Sequence, residues 1–261
     1  MMVGGVPSYL QVSARYRSIR ELVEREFLDQ NGYFYREPYF LLAEELREPR
    51  NYFLILAAIA SGNSTTNGIA NYVGMETRKI FPYLEQLSLL GLVERRVLLM
   101  TREKRGRYFI RENALISWFN LCYKKVSQIE LGIASYNENE IKEILGKAFE
   151  RLALHYIPIL SPFRVDTVGN WWHRDVEIDV VTVNRGSGKV LFLEAKWKEL
   201  SYNEALEIIE RLKQKSSSFA WNRGRRKQYF GILARSLERK AELTEKGYLV
   251  FDLKDLIRYR I

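Results

Sequence analysis

Residues 177–197, EIDVVTVNRGSGKVLFLEAKW, read as two β-strands joined by a glycine-bearing turn. Val, Ile, Leu and Phe dominate both strands, as expected of strands buried on both faces. Glu177, Asp179, Glu194 and Lys196 interrupt that apolar run. With the turn at Arg185-Gly186-Ser187-Gly188 and Asn184 paired to Lys189, Asp179 falls opposite Glu194 and Glu177 opposite Lys196. Side chains at i and i+2 share a face, so these charged groups are expected together at one end of one face. Val181, Val183, Val190 and Phe192 continue that face, and Val176, Ile178, Val180, Leu191, Leu193 and Ala195 form the other. Opposed side chains have Cβ atoms roughly 4.5–5.5 Å apart. Two carboxylates at that distance repel unless a cation stands between them. Lys196 supplies part of the compensation, and a divalent ion would supply more; oxygen-only ligands favour Mg²⁺ or Mn²⁺. The alternative is a pair of cross-strand salt bridges, Glu177–Lys196 among them. It accounts for that pair but leaves Asp179 facing Glu194 unexplained.

The chain has 261 residues, 47% of them hydrophobic, enough for a proper core in one large domain or two small ones. Its net charge of +9 and pI near 9.5 fit a phosphate-rich partner such as DNA. The single cysteine, Cys122, lies in an apolar stretch and is read as core filler. A reducing, cytoplasmic setting is expected. No apolar run reaches the roughly 18 residues a membrane span needs, so no membrane partner is expected. His155 and His173 are too few and too far apart for a zinc site. Few Cys and Gln beside many Arg, Lys and Glu suit a thermophile.

Along the chain, apolar residues at Ile19, Leu22, Val23 and Phe27 predict a helix over 13–28. A second helix is placed between Pro38 and Pro49, with proline at its first position. Then YFLILAAIA (52–60) predicts a buried helix, TTNGIANYVG a short one stopped at Gly74, and 75–93 a long one. The long helix has Ile80, Leu84, Leu87 and Leu90 or Leu92 as its inner stripe, and Gly91 as its stop. VERRVLLM and GRYFI follow as two strands. Three helices and a two-stranded wing predict a winged helix-turn-helix. Arg78 and Lys79 on the reading helix and Arg102, Lys104, Arg105 and Arg107 on the wing are its candidate DNA contacts. Another apolar helix covers 113–123. The domain boundaries are set at 50/51 and 135/136. From there come a helix (140–157) ended by Pro158 and Pro162, a polar segment with Trp171 and Trp172, the hairpin, a helix (201–220), a strand (228–234), a helix, and a last strand and turn. That order predicts a central mixed sheet flanked by helices, and an α+β multidomain fold overall. The segment 211–227, with Lys213, Lys215, Arg223, Arg225, Arg226 and Lys227 and no acid, is the candidate DNA track. Neutralising about six phosphates would give a salt slope near −5. Trp171 and Trp172 could stack on bases, with at least one of them expected in the core.

Asp179, Glu194, Ala195 and Lys196, in the pattern D-x14-E-A-K at the tips of adjacent strands, resemble the PD-(D/E)xK nuclease core. Glu150, in the preceding helix GKAFERLALHYI, resembles the extra acid of the Holliday-junction-resolvase-like branch. Ile178 stands where the name-giving proline would be. The longer run GNWWHRDVEIDVVTVN…VLFLEAKW is similar to the C-terminal domain of a family of archaeal and bacterial P-loop ATPases, a domain with a restriction-endonuclease-like core. The segments YFLILAAIASG…IANYVG…YLEQLSLLGLVER…YFIREN resemble the winged helix of that family, and GGVPSYL the end of its ATPase module's helical lid. No G-x-x-x-x-G-K-[ST] phosphate loop occurs, so ATP hydrolysis is not expected of this chain alone.

The resemblance implies a metal-dependent DNA nuclease. Asp179 and Glu194, assisted by Glu150 and the Ala195 carbonyl, would hold Mg²⁺ or Mn²⁺, and Lys196 would orient water or stabilise the charge growing on phosphate. Glu177 is a further acid near the site. Two other readings stay open: a DNA-binding or regulatory module that does not cleave, and an interaction module docking on an ATPase domain or on a second copy of the chain.

Overall fold

The computed structural model describes residues 1–46, 49–97, 99 and 106–258. They form two compact units, the first ending at Ile144 and the second taking Leu145 onward together with Leu99.

The first unit holds α1 (Pro7–Ser13), α2 (Ile19–Leu22) with a π-turn over Val23–Phe27, α3 (Tyr33–Glu45), α4 (Pro49–Ala60), α5 (Thr66–Val73), α6 (Thr77–Leu89), β1 (Val93–Val97), β2 (Gly106–Ile110), α7 (Asn113–Leu121) and α8 (Val126–Glu130). Helices α4, α5 and α6 with the β1–β2 hairpin make the winged helix-turn-helix, paired from Val93↔Ile110 to Val97↔Gly106. Thr65 caps α5 by accepting the Gly68 N–H at 3.1 Å. Ile80, Leu84 and Leu87 are buried on α6, and Leu92 completes the stripe. Gly91, at φ +71, lets the Leu92 N–H return to the Leu87 carbonyl at 3.0 Å. Residues 1–50 belong to this same unit: Asn113 and Ser117 donate to the Met1 and Met2 carbonyls at 2.7 and 2.9 Å. Cys122 is fully buried and donates to the Phe27 carbonyl, and burial pushes its thiol pKa up.

Several local expectations change; the helix expected over 13–28 begins only at Ile19, after α1 has ended at Ser13. Ile19 is 41% exposed, while Leu22, Val23 and Phe27 face the core. Helix α3 starts at Tyr33, not at Pro38, and carries Pro38 inside it. Phe34 and Leu42, both fully buried, anchor the two halves, and that packing outweighs the missing Pro38 N–H. Likewise α9 (Glu138–Leu160) runs past Pro158, whose ring falls in its last turn just after the buried Ile157.

Helix α9 begins in the first unit, where Lys125 pairs with Glu140 at 2.6 Å, and continues into the second. There follow β3 (Thr167–His173), β4 (Val176–Asn184), β5 (Lys189–Leu200), α10 (Tyr202–Ser216), β6 (Lys227–Leu237), α11 (Lys240–Glu245), β7 (Leu249–Phe251) and α12 (Leu253–Arg258). The strands form one mixed sheet in the order β3-β4-β5-β6-β7, antiparallel through β5 and parallel from β5 to β7. Strand β3 lies in what the sequence read as a polar segment; its buried Trp171 supplies an inward contact against Phe219. The closing turn is a helix, α12. No helix among the described residues is long and apolar enough to cross a membrane.

Candidate active site

Strand β4 pairs with β5 from Asn184↔Lys189 to Val180↔Leu193, the expected register. The turn closes with the Ser187 N–H on the Asn184 side chain at 2.7 Å and Gly188 at φ +64. On its other edge β4 is irregular. Gly169 of β3 pairs with Val181 but Trp171 pairs with Ile178, so Asn170 alone stands against Asp179 and Val180. This is a bulge, and an extra residue reverses which side chains share a face. Ile178 therefore packs with Val181, Val183, Val190 and Phe192, and Val176 lies against the same cluster. The expected grouping put Ile178 and Val176 on the opposite face. Glu177 is exposed and pairs with Trp172 of β3, and the β4–β5 pairing ends at Val180↔Leu193, short of the expected Glu177–Lys196 pair.

The bulge re-aims Asp179 without losing it. Asn170 Nδ2 donates to the Asp179 carbonyl at 2.7 Å, and the Ala195 N–H donates to Asp179 Oδ2 at 2.9 Å. Lys196 Nζ bridges the two strand-end acids, 3.0 Å from Asp179 Oδ2 and 2.7 Å from Glu194 Oε2. The other Glu194 oxygen, Oε1, takes Lys215 Nζ from α10 at 2.7 Å. A second irregularity, on β5 between Lys196 and Glu199 where it pairs with β6, follows directly. The Glu194 side chain is only 4% exposed and that of Asp179 13%, while Lys196 at 38% reaches solvent.

Burial pushes Glu150 up to about 7, the Asp179 charge adds to it, and Lys196 opposes. Burial and then the Glu194 charge push Asp179 up to about 6. Burial would also raise Glu194, but the Lys196 and Lys215 ammonium groups outweigh it and hold its carboxyl below the usual range. Burial opposes the charge on Lys196, and the Asp179 and Glu194 carboxylates more than restore it. The sequence named Glu150, Asp179, Glu194 and Lys196 as a group; Lys196 bonds Asp179 and Glu194, and their charges act on Glu150. It missed Lys215 as their neighbour and Asn170 as the brace. The buried Ile209, Leu212 and Ser216 mark the inward face of α10, and Lys215 follows Leu212 at helical i+3 spacing, which is the signal that could have found it.

The rest of the basic segment divides. Lys213 bonds Glu210 and the Tyr248 hydroxyl at 2.6 and 2.9 Å. Arg223 donates to the Ser217 carbonyl. Arg226 donates to Ser216 O at 3.0 Å and Trp221 O at 2.7 Å and lies over the Phe192 and Phe219 rings. Both arginines were expected on phosphate; Arg226 is half-buried and closes the carbonyl end of α10 and the loop after it, while Arg223 stays exposed. Arg225 and Lys227 stay exposed. Trp171 is a core residue at 5% exposure, and Trp172 is half-buried. In the first unit Arg78 and Lys79 are exposed at the start of α6, and Arg107 stands across from Arg96. Arg102, Lys104 and Arg105 lie outside the described residues.

A family profile described as archaea bacterial proteins of unknown function (DUF234) matches residues 118–208. An uncharacterized protein of Methanocaldococcus jannaschii is 32% identical over 261 residues, covering 96% of this chain. The chain spans 58% of that relative's length. Among solved structures, a repair endonuclease from Pyrococcus abyssi shares 17% identity over 46% of this chain and 48% of its own, with a TM-score of 0.29. A MarR family transcriptional regulator from Silicibacter pomeroyi shares 18% over 58% of this chain and 98% of its own, with a TM-score of 0.27. Likenesses of that size carry no information about chemistry.

Proposed function

We propose that this chain is a metal-dependent DNA nuclease that hydrolyses phosphodiester bonds with Asp179, Glu194, Lys196 and Glu150. One observation carries the reading: a half-exposed ammonium, Lys196, held between two nearly buried strand-end carboxylates beside a third acid whose charge is disfavoured.

The donor set fits a hard divalent cation in kind, because it offers carboxylate oxygens and no sulfur or imidazole. It fits in charge, because Glu150 and Asp179 hold their protons more tightly through burial and neighbouring carboxylates, which a bound cation would offset. Among the described residues no three His, Cys, Asp or Glu side chains gather into a ready-made cage. Mg²⁺ is commonly held by one or two carboxylates, with water and substrate phosphate completing its shell. Asp179 and Glu194 would hold it, with Glu150 and the Ala195 carbonyl assisting. When bound, such an ion supplies Lewis-acid polarisation of the phosphate and a more acidic water. Lys196, once released from one carboxylate, would orient the attacking water or stabilise charge on a phosphate oxygen. Arginine would not replace it cleanly, because a planar fork is not a compact point charge. Duplex binding would draw on Arg78, Lys79 and Arg107 of the winged helix and on Arg225 and Lys227.

The test is incubation of the full chain with labelled linear, flapped and four-way DNA in Mg²⁺, Mn²⁺ or EDTA, beside Lys196→Ala. Cutting that needs the metal and disappears in the variant is the expected result. Tight, salt-sensitive binding without cutting would instead make the chain a DNA-binding module. No DNA affinity at low salt would leave it a protein-interaction module.

A further inference from the structure

Glu194 is held by two lysines that differ in origin and in freedom. Lys196 follows it on β5 and is shared with Asp179. Lys215 arrives from α10 and bonds only the far oxygen, Oε1, at 2.7 Å. Its backbone is firmly placed. A capping box between Ser201 and Glu204 starts α10 directly after β5, and Ala205, Ile209, Leu212 and Ser216 bury its inner face. Neighbouring Ser216 donates to the Lys213 carbonyl at 2.7 Å, tightening the last turn. The ammonium thus meets Glu194 from a second, independently packed element.

We infer that Lys215 is a positioning residue: it fixes the Glu194 carboxylate through Oε1 so that Oε2 is presented toward Asp179. The inference rests on the proposed nuclease reading and assigns to that site a group outside its strand-end acids and lysine. The two bonds fall on different oxygens, which separates the two roles. A cation at Asp179 and Glu194 competes with Lys196, which touches both acids. It need not displace Lys215, whose bond is to Oε1, although the Lys215 charge also opposes a cation on Glu194. With Lys215 absent, Oε1 of a carboxylate only 4% exposed loses its partner, and the side chain is free to turn. Groups that orient a metal ligand from behind typically matter 10- to 100-fold in metal affinity.

The experiment measures Mn²⁺ binding to the full chain by the EPR signal of the free ion, for wild type, Lys215→Met and Lys215→Arg. In parallel, DNA binding in EDTA is followed by fluorescence anisotropy across a salt series, and each variant is checked by thermal melting. The expected result is Mn²⁺ affinity reduced about 10- to 100-fold in Lys215→Met. Lys215→Arg should recover part of it, and metal-free DNA affinity and salt slope should stay unchanged. Lys215→Met that keeps full Mn²⁺ affinity but loses DNA affinity, with a slope shallower by about one, would overturn the inference and make Lys215 a phosphate contact. Unchanged behaviour in both assays would overturn it as well, and so would tighter Mn²⁺ binding in Lys215→Met, which would make Lys215 a competing charge. If Lys215→Met fails to melt cooperatively, the same comparison is read from Lys215→Gln. Wild type that binds no Mn²⁺ would sink the nuclease reading itself, an outcome distinct from a variant that binds as well as wild type.

Discussion

Glu150 carries its charge against two pressures, burial and the nearby Asp179, which push its carboxyl from the ordinary 4.5 up to about 7. A folded-state pKa above the unfolded value means that the folded chain holds the proton more tightly. The stability tied to that proton is fully present below the unfolded pKa and is lost as pH rises from about 4.5 through about 7. Glu150→Gln removes the titration. In EDTA at about pH 8 it should be more stable than wild type by on the order of 1–3 kcal/mol, and the gap should close by about pH 4. Thermal melts of both proteins at the two pH values check this; parallel curves would mean that Glu150 is well solvated. Asp179→Asn keeps an acceptor for the Ala195 N–H but relieves the Glu194 repulsion. It should abolish cutting while melting at or above the wild-type temperature without metal. A large fall in melting temperature would show that the Lys196 pair is there to hold the fold.

The bulge in β4 is the element that sets the site. It turns Asp179 out of the alternating pattern, and Asn170 satisfies the carbonyl freed by doing so. Asn170→Ala should cost about 1 kcal/mol in urea melts and weaken Mn²⁺ binding, because Asp179 loses its backbone brace. Unaltered Mn²⁺ affinity would mean that the bulge holds itself. Further along the sheet, β6 and β7 approach closely at Gly231. A Cβ there would sit 2.5 Å from the Leu249 carbonyl oxygen, a backbone atom that cannot swing aside. Gly231→Ala should destabilise the second unit by roughly 1–3 kcal/mol, read from the denaturation midpoint. The α10 terminus works similarly: Arg226 ties Ser216, Phe219 and Trp221 together, so its loss should loosen the loop that follows.

At the scale of the whole molecule, part of the net charge of +9 is held by internal partners. In 211–227, Lys213, Lys215 and Arg226 are half-buried on internal partners, Arg223 is exposed but bonded to the Ser217 carbonyl, and Arg225 and Lys227 are exposed. Each phosphate contact contributes about 0.9 to the salt slope. Arg225→Ala with Lys227→Ala should therefore make the slope shallower by about two. Arg223→Ala should leave it unchanged, in anisotropy titrations across KCl. A reversed result would put the capping arginine on the nucleic acid. Local information in the sequence determined a good deal: the β4–β5 register, the three helices and wing of the winged helix, the stop at Gly91, and the nearness of Asp179, Glu194 and Lys196. Those depend on periodicity and turn chemistry within a few residues of chain. The tertiary structure alone decided the bulge, the partner of Lys215, the inward turn of Arg226, and the helices that run through Pro38 and Pro158. Each of these is set by what a distant element packs against it, and a side chain's direction after packing cannot be read from its neighbours in sequence.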